Sequence, residues 1–255
     1  MFEDRMKTSA IPERVYALCQ AIKSRTMQES DLRELLEPSN LGGSTKYFGT
    51  VRDAAKQLGL ISVKEGDVSL AVDSKCVSSY DSMREYIVGN IDTISEGLFF
   101  DVSKEYISIK FKGVSEAALV EHMSKVIGKP VYEDDMRAWR FWATYLGLGN
   151  LHDMLLLPNM YTYLKAVLTV CNLKKNEEYT FTDFVAAIKP YAEIGLSDID
   201  GNKKINLAMS SGLRALHDEG IIQLSHKLDS GDMWFLYEAE LHPIKSTVTH
   251  VTVRR

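Results

Sequence analysis

The sequence predicts a mainly α-helical protein with small β-hairpins, in which one helix–glycine–hairpin pattern is used twice around a helical middle segment. Three observations predict it. First, in the stretch from Ser44 to Val72, Tyr47, Phe48, Val51, Ala54, Ala55 and Leu58 recur at helical spacing. Ser44 opens that helix as a cap, and Gly59 follows its last apolar position, where a left-handed C-cap belongs. Two short strand-like runs, Leu60 to Val63 and Val68 to Val72, then flank the tight turn Lys64-Glu65-Gly66-Asp67, in which Gly66 supplies a positive φ. Second, the same order returns near the other end of the chain. Ala215-Leu216 lies opposite Ala54-Ala55, Gly220 opposite Gly59, Ile221-Ile222 opposite Leu60-Ile61, and Leu224 opposite Val63, all at a spacing of 161 residues. Third, the residues between the two copies carry helical periodicity without that pattern.

The elements follow in order. Ile11 to Lys23 is an amphipathic helix with Ile11, Val15, Leu18 and Ile22 on one face, and Pro12 suits its first turn. Thr26 to Glu37 gives a second helix, with Leu32, Leu35 and Leu36 inward and Asp31 and Glu34 outward. Pro38-Ser39-Asn40 ends it, and Leu41-Gly42-Gly43 loops into the helix and hairpin already described. In the middle, Tyr80 to Val88 and Glu116 to Ile127 read as helices, and Gly128-Lys129-Pro130 stops the second. Tyr106 to Phe111 alternates like an extended segment. Glu133 to Tyr145 is a helix closed by Gly147, Gly149 and Asn150; its Trp139, Phe141 and Trp142 read as core or inter-domain residues rather than a base-stacking platform, because the segment is acidic. Further on, Tyr161 to Val170, Phe181 to Tyr191 (capped by Thr180) and Asn202 to Asp218 are helices. Ile221 to Ser225 and Met233 to Tyr237 are strand-like around the turn Asp229-Ser230-Gly231-Asp232, and Ser246 to Val253 reads as an added edge strand. The reading divides the chain into domains at 1–75, 76–157 and 158–255.

With 255 residues, 45 % apolar and 25 % charged, the chain has the composition of a globular protein. It holds no apolar run of membrane-spanning length, and its start lacks the layout of a signal peptide. Cys19, Cys76 and Cys171 are far apart and outside any ligand spacing. A reduced, cytoplasmic protein without membrane contact is expected. The net charge of −5 is unevenly spread. Ala10–Lys75 holds 9 basic and 9 acidic residues, whereas Cys76–Leu157 and Pro158–Glu240 each hold 8 basic against 12 acidic. Nonspecific affinity for nucleic acid comes from neutralising phosphates, so the first part is the least hostile to it.

Both halves resemble the winged helix-turn-helix superfamily, over roughly 65 residues at the front and 80 at the back. The middle run AWRFWATYLGLGNLHDMLLLPN resembles accessory proteins of bacterial anti-phage defence islands that join winged-helix units through a helical centre. In DNA-binding members of the superfamily the third helix lies in the major groove and the hairpin wing touches the backbone. That resemblance implies DNA contacts at Ser44, Thr45, Lys46, Tyr47, Thr50, Arg52 and Lys56, with Lys64 in the wing. In the second copy it implies Lys203, Lys204, Asn206, Ser210, Ser211 and Arg214, with Lys227 in the wing; Asn206 would read adenine. The acidic surroundings of the second copy favour protein docking there.

Enzymatic signatures are missing: no phosphate-cradling GxxxxGK[ST], GxGxxG, HExxH or G-x-S-x-G is present, and the six histidines are scattered singly. Glu133-Asp134-Asp135 is explained by a helix N-terminus. Asp198-Ile199-Asp200-Gly201-Asn202 lacks the twelfth-position glutamate of a calcium loop, since Met209 stands there. No catalysis, metal or cofactor is expected. The lead expectation is non-enzymatic binding of double-stranded DNA, as a regulator or as the recognition subunit of a larger, multi-protein complex. The alternative is an adaptor whose winged helices dock protein partners. Homo-oligomerisation is left open.

Overall fold

The chain first becomes regular at Pro12, whose fixed φ and missing N–H suit the first position of a helix. In the computed structural model, which describes residues 2–41, 46–108, 116–153, 155–197, 199 and 201–254, that helix is α1 (Pro12–Ala21). It buries Val15, Leu18 and Cys19 on one face. A two-residue strand, β1 (Met27–Gln28), follows where a helix was expected to begin, and α2 (Glu29–Leu36) starts after it. Of the three leucines expected inward, Leu32 is buried but Leu35 is 58 % exposed. Leu32 and Leu36 lie one turn apart on the same face, and Leu35 is rotated off it.

α3 (Phe48–Gln57) buries Phe48, Val51, Ala54 and Ala55. It ends at Gly59, whose φ of +68° lets Leu60 N–H reach back to Ala55 O (3.0 Å). Strands β2 (Ile61–Lys64) and β3 (Asp67–Leu70) pair antiparallel, with Lys64 opposite Asp67. Glu65 and Gly66 both have positive φ, as a two-residue type I′ turn requires. β1 adds to β3, giving the sheet order β1-β3-β2.

Beyond this sheet come α4 (Tyr80–Gly89), α5 (Leu98–Ser108), α6 (Glu116–Ile127) and α7 (Glu133–Leu146). Tyr106 to Ser108, read from sequence as extended, instead completes α5. Phe99, Val102, Tyr106 and Ile107 are buried at helical spacing, and that packing outweighs the local alternation. The rest of that run, Ile109 to Phe111, lies outside the described residues.

The chain forms two compact units: Met1–Val102 with Ser115–Tyr145, and Ser103–Val114 with Leu146–Arg255. In the first, the N-terminal segment is sewn into the core. Phe2 is 1 % exposed and sits edge-on to Phe99 and Trp142, and Trp142 Nε1–H donates to Ala10 O at 2.7 Å. Buried Asp135 accepts from Met6 N–H, Tyr132 N–H and Arg5 Nε. Trp139 and Trp142 are fully buried core residues, while Phe141 is 45 % exposed.

The second unit opens with a hairpin not foreseen from sequence, β4 (Gly149–His152) and β5 (Leu155–Pro158). Next come α8 (Tyr161–Val170), β6 (Glu178–Thr180) and α9 (Phe181–Leu196), where the Thr180 side chain accepts from Asp183 N–H as the expected cap. α10 (Leu207–Asp218) begins later than the expected Asn202. Lys203 sits at φ +53°, and Asn206 is the cap, accepting from Met209 N–H. Gly220 (φ +66°) ends α10 with the same bond as Gly59: Ile221 N–H to Leu216 O, 2.9 Å. The last strands are β7 (Ile222–Ser225), β8 (Trp234–Phe235), β9 (Thr247–Val248) and β10 (His250–Val253).

The pairing corrects the expected second hairpin. β7 does not pair with β8; its partner is β10, while β8 pairs with β9. The C-terminal segment is therefore a central strand, in the order β6-β10-β7, rather than an edge. The stretches α1–β3 and α8–β10, β8 and β9 aside, share one order of elements, helix–strand–helix–helix–strand–strand, and one sheet order. In the second, residues 226–249 are inserted between the last two strands of that sheet. Among the described residues no helix is long and apolar enough to cross a membrane.

Candidate nucleic-acid interface

The exposed stripe of α3 is built from residues three and four apart: Lys46 just ahead of the helix, half-exposed Gly49 and Thr50, then exposed Asp53 and Lys56. Lys64 stands exposed on β2 beside the turn. Lys46, Lys56 and Lys64 have no ion-pair partner among the described residues. Ser44 and Thr45 lie outside the described residues.

The other two candidates at α3 have work inside the fold. Tyr47 is half-buried; its hydroxyl donates to Leu36 O (3.1 Å), and the Arg14 guanidinium stacks 4.1 Å from its ring centre. Arg52 is clamped between Glu29 and Asp53, with 2.8 Å from Nη2 to Asp53 Oδ1. The bonds to Asp53 and the neighbouring Glu29 charge raise the already high Arg52 pKa against the opposing effect of burial. Glu37 bears on the site although sequence reasoning passed it over. Its two carboxylate oxygens accept from Tyr47 N–H (3.2 Å) and Phe48 N–H (3.1 Å), so the anion site at the start of α3 is filled from within. A glutamate ten residues ahead of a helix start leaves no readable sequence signal.

In the second unit the candidates are drawn inward. Ser210 is fully buried, its hydroxyl donating to Ile205 O and accepting from Tyr237 N–H. Arg214 is 7 % exposed and donates to the carbonyls of Tyr237, Ile244 and Lys245; burial lowers its pKa. Asn206 uses its oxygen as the α10 cap and its amide on Gly195 O (2.8 Å). Lys203 pairs with Asp232 (2.7 Å) and Lys227 with Glu178 (2.5 Å). Ser211 is half-buried, and of the seven candidates Lys204 alone is both exposed and without a charged partner among the described residues. Nothing in local periodicity distinguishes these inward cations from outward ones, because their acceptors come from residues 20 to 50 positions away.

Asp232 is the centre of a latch. It accepts from Thr182 N–H (2.9 Å), Thr182 Oγ1–H (2.5 Å) and Lys203 Nζ, and Trp234 Nε1–H donates to Thr182 Oγ1. Burial by itself would raise the Asp232 carboxyl; the bonds from Lys203 and Thr182 outweigh it and hold the pKa down to about 2. The latch fastens the inserted segment to the first turn of α9.

Among the described residues no group of three or more His, Cys, Asp or Glu is placed to hold a metal. Glu133 and Asp134 face Arg137, and Asp135 is a buried acceptor. Burial pushes the Cys19 thiol up to about 12 and raises that of Cys171, which keeps both as unreactive thiols. Asp198 and Asp200 lie outside the described residues. Compared with models of protein families, with curated proteins and with solved structures, the chain finds no match.

Proposed function

We propose that both units are winged-helix modules and that the protein is a non-enzymatic binder of double-stranded DNA, working through α3 and the β2–β3 hairpin of the first unit. The observation that carries this reading is the set of three exposed lysines without an ion-pair partner among the described residues, Lys46 just ahead of α3 and Lys56 on the same stripe of it, with Lys64 on the hairpin. A helix presenting cations beside a hairpin that presents another matches a helix in the major groove with a wing on the adjacent backbone. Thr50 on the same stripe supplies a hydroxyl for phosphate or base. The first unit reads as the DNA-contacting one, because its cations point outward. In the cell the protein would act as a regulator or as the recognition part of a larger assembly.

Three phosphate contacts give a salt slope of about −2.7, so affinity should fall about 40-fold between ~50 and ~200 mM salt. Fluorescence anisotropy on a labelled duplex reads this directly. An absence of binding at about 50 mM salt removes the proposal.

A second reading has its own observation. On the inserted segment of the second unit, Met233, Phe235 and Tyr237 are exposed while Trp234 and Leu236 are buried, so three large apolar side chains share an outward face. That row suits the second unit to docking a protein partner. Deleting the row by serine substitution leaves DNA binding unchanged if the two units divide the work.

A further inference from the structure

We propose that the first unit carries a binding site for a short-chain monocarboxylic acid, in the hollow between α1, α2 and the first turns of α3. The hollow has a volume of about 90 Å³ and is lined by Arg14, Ala17, Leu36, Tyr47, Phe48 and Val51. Among the described residues its walls are apolar except at Arg14 and the Tyr47 phenol, and that phenol is already bonded to Leu36 O.

Arg14 differs from the other arginines of this unit for which a partner is described. Arg5, Arg52, Arg84 and Arg137 each pair with a carboxylate. Arg14 instead lies over the Tyr47 ring and donates from Nη1 to Ser9 O at 2.9 Å, with no carboxylate paired to it among the described residues. The nearby Glu37 is held on the Tyr47 and Phe48 amides and does not line the hollow. A guanidinium steadied by an aromatic face, with donors left over, is arranged to receive a carboxylate in its planar fork.

Size sets the other half of the ligand. An apolar cavity of about 150 Å³ takes benzene. By the same ratio one of 90 Å³ takes an alkyl group of about three or four carbons, with the carboxylate left outside that volume for Arg14. An amine is excluded by Arg14, and a neutral amide or alcohol of the same shape forfeits the ion pair. The occupant is thus an acid of the size of butyrate or isovalerate. Tyr47, Phe48 and Val51 belong to the lead-in and first turn of α3, so the site touches the proposed DNA-reading helix without depending on it.

The test uses the full chain without DNA, so that its outcome is separate from that of the DNA proposal. Isovalerate, isovaleramide and isoamyl alcohol are titrated while backbone amides are followed by heteronuclear NMR. The expected result is saturable shifts at Ala17, Tyr47, Phe48 and Val51 with a Kd of about 1 mM or below for the acid, and at least tenfold weaker binding for the two neutral analogues. Arg14→Gln should abolish the preference for the acid. Ala17→Leu fills the hollow from an exposed position, leaves the fold intact and should abolish binding of all three. Three results would each overturn the proposal: no saturation with isovalerate, equal binding of acid and amide, or unchanged binding in the Ala17→Leu variant. A hollow that takes only the side chain of a peptide partner would appear as the first of these.

Discussion

Replacing Asp232 by Asn tests whether the inserted segment of the second unit is held by charge. The Asp232 side chain is 19 % exposed and receives three hydrogen bonds, one from the charged Lys203 and two from Thr182 in the first turn of α9. Its pKa lies near 2 against an ordinary value of 3.8, a difference equivalent to about 2 kcal/mol of stability. The sign follows from the direction. A carboxyl whose folded pKa is depressed stabilises the fold above its unfolded pKa, and that stability is lost as pH falls through the folded value. Wild type should therefore exceed Asp232→Asn by about 2 kcal/mol at pH 7, a melting difference of about 6 °C for a unit of this size. The gap should shrink by roughly half at pH 3, where the carboxyl is protonated in the unfolded chain but not in the folded one. Urea unfolding at both pH values measures it. A gap of the same size at both pH values would refute the electrostatic account, and no gap at all would show that the latch contributes nothing.

Three further outcomes are expected. Glu37→Gln removes the negative charge that fills the start of α3 while keeping an oxygen acceptor, and it should tighten duplex binding about threefold at low salt; anisotropy titration checks it. A Cβ built at Gly49 meets nothing within 4 Å, so Gly49→Lys adds a cation to the middle of the exposed stripe. It should both tighten DNA binding and stabilise the helix by about 1 kcal/mol, read by anisotropy and by urea midpoint. Gly220→Ala forces a side chain into φ +66° and should cost about 1 kcal/mol in the second unit, seen as a lowered urea midpoint at unchanged slope.

Much of the architecture was legible because its signals are local. The α3–Gly59–hairpin sequence and the α10–Gly220 end repeat at one spacing, and both glycines adopt the left-handed cap that the pattern requires. Thr180 caps α9 as its position implied. What sequence did not reveal is set by distant residues. β1 and β6 are two and three residues long and exist because β3 and β10 lie beside them. The true partner of β7 is supplied by the C-terminal segment, after an insertion that reads locally like the second arm of a hairpin. The alternation at Tyr106-Ile107-Ser108 lost to burial of a helical face. Of the DNA candidates, Lys46, Lys56 and Lys64 are exposed, whereas Arg52, Ser210 and Arg214 are tied to acceptors that no periodicity announces.

The central claim is that three outward lysines of the first unit meet a phosphate backbone. Its most direct test is the slope of log affinity against log salt for a duplex, compared between wild type and the Lys46→Ala, Lys56→Ala, Lys64→Ala variant. The account predicts a slope of about −2.7 that flattens by roughly one unit per lysine removed, with the unfolding midpoint unchanged. Equal slopes for the two proteins would contradict it.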